Sequence, residues 1–172
     1  MRVWIAGLGV AGFLLISANV AQGCGDKLVS LLSAVRYQRA YKAWRQASVA
    51  VLWNNGASGA VLTNPRLQTA LKEVGHKVIL VPDLTQLNLA MKSGTVDVVF
   101  VDAADAGAVA PALKSTTNGA VLVPVLYKPT KDAFAAARRQ YPFALKAPGD
   151  EIQFLTAIEA AMKSKAKTGG KS

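Results

Sequence analysis

The chain has 172 residues, is 52% hydrophobic, and carries a formal net charge of +10 with one cysteine, Cys24. A single cysteine excludes an internal disulfide, because a bridge needs two, and the length suits one domain with its own core. The charge does not describe that domain: residues 47–162 hold ten Lys or Arg against nine Asp or Glu, and the excess sits in the flanks, at Lys27, Arg36, Arg39, Lys42 and Arg45 before it and at Lys163, Lys165, Lys167 and Lys171 after it. A nearly neutral core with basic flanks points to anionic lipid headgroups, cell-wall polymers or acidic proteins as partners and away from nucleic acid.

The first element is Met1-Arg2 followed by an apolar run over residues 3–16 and the small, polar stretch SANVAQGCG. That three-part layout predicts a secretory signal over residues 1–23, and the apolar run is shorter than the roughly 20 residues a spanning helix needs. Cleavage after Ala21 or after Gly23 satisfies the small-residue requirement equally. The second choice leaves Cys24 first, and Ala21-Gln22-Gly23-Cys24 resembles a bacterial lipoprotein signal, which would make Cys24 a lipidation site; otherwise it is a free thiol near the terminus. Residues 24–47 then read as a basic helical segment. Tyr37, Tyr41 and Trp44 fall at i, i+4 and i+7, with Arg36 and Arg39 beside them. Such a stripe suits either a membrane interface or packing against the domain.

From Ser48 apolar runs alternate with amphipathic ones. SVAVLWN predicts a first strand and NGASGAVLTN a loop. PRLQTALKEVGH predicts a helix capped by Asn64, opened by Pro65 and stopped by Gly75. KVILVPD is a second strand and LTQLNLAMKSG a second helix, with Leu84, Leu87 and Met91 at helical spacing. VDVVFVD is a third strand ending on Asp102; AGAVAPALKSTTNG is a short helix with Pro111 near its start, and AVLVPVLY a fourth strand. KPTKDAFAAARRQ predicts a helix capped at Thr130, PFALKAP a fifth strand, and GDEIQFLTAIEAAMKSKAK a long last helix opening on Asp150 and Glu151. The tail lacks apolar residues, so order is expected to stop near Lys165, giving a domain over 48–163 and a disordered tail over 164–172.

Five strands alternating with helices predict a three-layer α/β fold around a parallel sheet, and the apolar character of strands two to four predicts burial on both faces. Ligands and reactive groups in such sheets gather at the carboxyl ends of the strands. Trp53, Asn54, Asn55, Asp83, Asp102, Asp105, Lys128, Thr130 and Lys146 are therefore the residues in question.

The order of elements, Asp102 at the end of strand three, and Lys146 shortly before a proline in FALKAP resemble the response-regulator receiver domain, a (βα)5 flavodoxin-like fold, over residues 48–162. The resemblance implies Asp102 as phosphoacceptor-like and Lys146, Thr130, Asn54 and Asn55 as its companions. Receiver chemistry also needs an acidic pair after strand one, which with the acceptor aspartate holds Mg²⁺; here those places read Trp53, Asn54 and Asn55. Thr130 stands one place beyond the expected hydroxyl, where Pro129 falls. The expectation is a vestigial site with no metal, no cofactor and no catalysis, Asp102 persisting as an ion pair with Lys146. Asp105 is expected to cap the next helix, and His76, the only histidine, to be a turn residue. Function is then expected to be protein interaction at the envelope, through residues 131–140 and 152–162 by resemblance to receiver docking. Two alternatives are a small-ligand module lined by Trp53 and Asp105 and a working phosphoacceptor at Asp102.

Overall fold

The structure, a computed structural model, describes residues 46–53, 56–115 and 119–169. The signal segment, Cys24, the aromatic and basic stretch with Arg36, Tyr37, Arg39, Tyr41 and Trp44, and Asn54 and Asn55 lie outside the described residues.

The strands are β1 (Ser48–Leu52), β2 (Lys77–Val81), β3 (Val98–Asp102), β4 (Val121–Tyr127) and β5 (Leu145–Ala147). The helices are α1 (Gly59–Leu62), α2 (Pro65–Glu73), α3 (Leu84–Lys92), α4 (Ala106–Lys114), α5 (Lys131–Gln140) and α6 (Glu151–Gly169). All strands are parallel in the order β2-β1-β3-β4-β5. That is the order of doubly wound flavodoxin-like sheets.

Right-handed crossovers put α2 and α6 on one face and α3 to α5 on the other, since the chain steps one way from β1 to β2 and the opposite way thereafter. One core layer joins Val49, Val51, Phe100 and Val123 to Leu67 and Leu71 of α2 and to Phe154 and Ile158 of α6. The other joins Ala50, Val99 and Val101 to Leu87 and Met91 of α3 and Val109 of α4. Phe100 and Phe154 meet edge to face with centroids 5.5 Å apart, an arrangement their ring quadrupoles favour. No residue of α5 is fully buried, which makes it the most loosely held of the longer helices.

Local signals carried most boundaries. Asn64 accepts from Arg66 N–H, Asp83 from Gln86 N–H and Thr130 from Ala133 N–H, each capping its helix. Gly75 ends α2 at φ +96°, a conformation open to glycine at little cost. The Ala147–Pro148 peptide is cis.

Four expectations need correction. The stretch after β1 is not all loop, because Gly59–Leu62 forms a helical turn that seals Leu62 into the core. Pro111 lies well inside α4 rather than near its start. Strand β2 is an edge strand with Leu80 48% exposed, although its sequence is as apolar as that of β3. Finally, α6 remains helical to Gly169, past the expected end of order. Lys165 Nζ donates to Asp97 Oδ1 at 2.7 Å, while Asp97 Oδ2 accepts from Ser48 N–H at 2.9 Å. One carboxylate thus ties the last turns of α6 to the first residue of β1. Lys165→Gln is expected to cost up to about 1 kcal/mol and to speed amide exchange over residues 163–168 at low salt; unchanged exchange there would leave the ion pair without a role.

His76 follows Gly75 as expected but is buried, 3% exposed, and its Nδ1 accepts from Ala47 N–H at 3.1 Å. It fastens the chain entering β1 to the start of β2.

Candidate functional site

The carboxyl ends of the strands carry Trp53 after β1, Asp102 at the end of β3 and Lys128 after β4. Trp53 N–H donates to Val81 O at 3.0 Å, which continues the β1–β2 ladder, and its side chain is 42% exposed. Lys128 adopts φ +43° and donates its N–H to Ala147 O at 2.6 Å; its ammonium stands 5.3 Å from the Tyr127 ring centroid.

Asp102 is only 9% exposed. Its Oδ2 accepts from Ser58 N–H at 2.8 Å and its Oδ1 from Ala104 N–H at 3.0 Å. Ser58 is itself fully buried, and its hydroxyl donates to Val125 O at 2.8 Å on β4. Carboxylate, backbone amide and hydroxyl therefore form a chain of hydrogen bonds that ties the turn after β1 to the ends of β3 and β4. An ionised carboxylate binds an N–H about twice as strongly as a neutral acceptor does, which suits it to hold this turn.

The expected ion pair between Asp102 and Lys146 is absent. Asp102 pairs in register with Val125 and Val125 with Leu145, so Leu145 shares the row of Asp102 while Lys146 is one residue on. Successive strand residues face opposite sides of a sheet. Lys146 is consequently the exposed member of β5, between buried Leu145 and Ala147, and points away from the carboxylate. Asp105 occupies the N-cap position of α4, but its αR backbone (φ −91°, ψ −10°) leaves the side chain without a capping bond, contrary to expectation. The hydroxyl of Thr130 is engaged with Ala133 N–H as a cap.

Among the described residues, the Mg²⁺ implied by a receiver-type site finds no fitting set of ligands. Each oxygen of Asp102 already faces an N–H donor, and a hard cation needs several oxygen ligands directed at one point. Among the described residues no three His, Cys, Asp or Glu side chains come together in a way that could hold a metal ion. Ser58, which sequence reading passed over as part of a loop, is the residue that gives Asp102 its role. The available signal was a small polar residue set among glycines directly after β1, the loop that in this strand order lies beside the end of β3.

No protein-family model and no curated protein matches the sequence. The structure is similar to the crystal structure of a response regulator from Thermotoga maritima, with a TM-score of 0.53 and 13% identity over 69% of this chain and 99% of that one. The chain has a receiver-like fold. A response regulator receiver domain protein (CheY-like) from Methanospirillum hungatei JF-1 matches with a TM-score of 0.45 and 17% identity, covering 72% of this chain and 98% of that one. At such identities the receiver likeness is one of fold, and the chemistry of the site has to be read from this chain's own residues.

A second feature of the receiver-like domain is a groove of about 670 Å³ between α5, β5 and α6. Its lining includes apolar Phe134, Phe143, Ile152 and Ala157 and charged Arg138, Lys146 and Asp150. Arg138 Nη1 donates to Ala144 O at 3.4 Å, which holds one wall in place. The groove falls on the two segments, 131–140 and 152–162, expected to form a docking face.

Proposed function

We propose that this chain is an exported, non-enzymatic receiver-like module that works by protein contact at the cell envelope, with the α5–β5–α6 groove as its docking face. The observation that carries the reading is the state of Asp102: nine-tenths buried, with both oxygens engaged by the backbone N–H groups of Ser58 and Ala104. A phosphoacceptor must present a carboxylate oxygen to the incoming phosphorus with a cation beside it. Here each oxygen is already engaged by a backbone N–H, and Trp53, Asn54 and Asn55 stand where an acidic pair would hold the cation. The groove supports the contact function. Its lining combines apolar Phe134, Phe143, Ile152 and Ala157 with charged Arg138, Lys146 and Asp150, a mixture suited to protein contact, and no residue of the flanking α5 is fully buried. Export rests on the signal-like layout of residues 1–23.

The direct test is incubation of the protein with a small phosphodonor and Mg²⁺, read by intact mass. No phosphoryl increment is expected. An increment on the native protein that Asp102→Asn abolishes would overturn the reading in favour of a working phosphoacceptor.

A further inference from the structure

Parallel strands with returning helices bring the carboxyl ends of the helices to one pole of the domain, the pole where the strands begin. Each helix from α2 to α6 carries a basic residue in its last turn, among them the exposed Lys92, Lys114, Arg139 and Lys167. At this pole the described Lys and Arg outnumber Asp and Glu nine to three, whereas at the strand-end pole, with Asp83, Asp132 and Glu151 at the helix starts, they are outnumbered four to six. Complementing the helix dipoles favours such a bias within single turns; the sum is a domain with one strongly basic end.

Gln46, the first described residue, lies beside Gly75, and Ala47 is bonded to His76, so the described chain begins at this pole. Helix α6 also finishes here, at Gly169. We infer that this basic pole is a docking surface for an anionic lipid bilayer, met end-on. Charges contributed by successive helices around a three-layer domain spread over a broad end, which suits a planar charged surface, where each Lys or Arg near the headgroups adds to attraction. Nucleic acid fits less well. Its readers insert an element into a groove or stack bases on aromatic side chains, and the exposed aromatic residues of the domain, Trp53 and Tyr127, are at the opposite pole. Docked in this way, the domain holds its basic end on the bilayer and turns Asp102 and the strand ends away from it.

The test uses the full chain and vesicles containing phosphatidylglycerol at about 0.1 M salt, with phosphatidylcholine vesicles and a DNA duplex as comparators. Binding to the anionic vesicles alone is expected. The pair Lys92→Gln with Lys114→Gln should weaken it about tenfold to thirtyfold. Arg66→Gln with Lys131→Gln, an equal loss of charge at the other pole, should change it less than about threefold. A second basic-pole pair, Arg139→Gln with Lys167→Gln, repeats the measurement should the first pair lose its thermal transition. Equal effects from both poles, equal binding to neutral vesicles, or binding to DNA without binding to vesicles would each overturn the inference.

Discussion

Asp102→Ala is expected to destabilise the domain by about 1–3 kcal/mol without altering any docking surface. The substitution leaves the Ser58 N–H without an acceptor in a buried position, while the N–H of exposed Ala104 can turn to water. Each stranded buried donor costs about 1–3 kcal/mol. Asp102→Asn retains one acceptor oxygen but turns an amide N–H₂ toward the other donor, so it should cost less than Ala and still more than a surface change. Lys146→Ala provides the contrast. The side chain is exposed and on the other face of the sheet, so a change within about 0.5 kcal/mol is expected. Denaturant midpoints for the three variants decide the matter. If Lys146→Ala were as damaging as Asp102→Ala, the ion pair expected from sequence would have to be restored to the account.

Acidification between pH 6.5 and 4 is expected to remove about 1–2 kcal/mol of stability through His76 alone. Burial, the largest influence, pushes its imidazole from 6.5 down to about 4. Because the folded value lies below the unfolded one, the unfolded chain binds the extra proton across that window, and stability rises with pH through it. The contribution is therefore complete above pH 6.5, declines as pH falls, and is gone below about 4. The magnitude allows for partial solvent screening of the ring. His76→Asn keeps an acceptor near Ala47 N–H and cannot titrate, so its midpoint should flatten between pH 6.5 and 5 relative to the parent protein. An unchanged slope would assign the acid sensitivity to carboxylates instead.

Much of the fold could be read from local chemistry. Asn64 and Thr130 cap the helices they were expected to cap, and Gly75 stops α2, because a cap or a glycine stop needs only its own neighbours in the chain. The apolar runs marked all five strands for the same reason, since alternating strand and helix periods are written residue by residue. Position within the sheet was not legible in this way. KVILV and VVFVD look equally suited to burial, yet β2 lies at the edge and β3 at the centre. An apolar run states that a segment can be buried, and the direction of each crossover determines what covers it.

The candidate site divides along the same line. Residue order placed Asp102 at a strand end, and the residues Trp53, Asn54 and Asn55 already argued against a cation site. The partners of Asp102 depended on distance in space: Ser58, 44 residues away, supplies the N–H, while Lys146 is turned to the other face by the two-residue period of β5. Asp97 and Lys165, 68 residues apart, likewise keep α6 ordered where composition predicted a disordered tail. Sequence pattern settles which elements form, because the interactions that make them are local; register and crossover geometry settle which polar groups meet, because those contacts close over long stretches of chain.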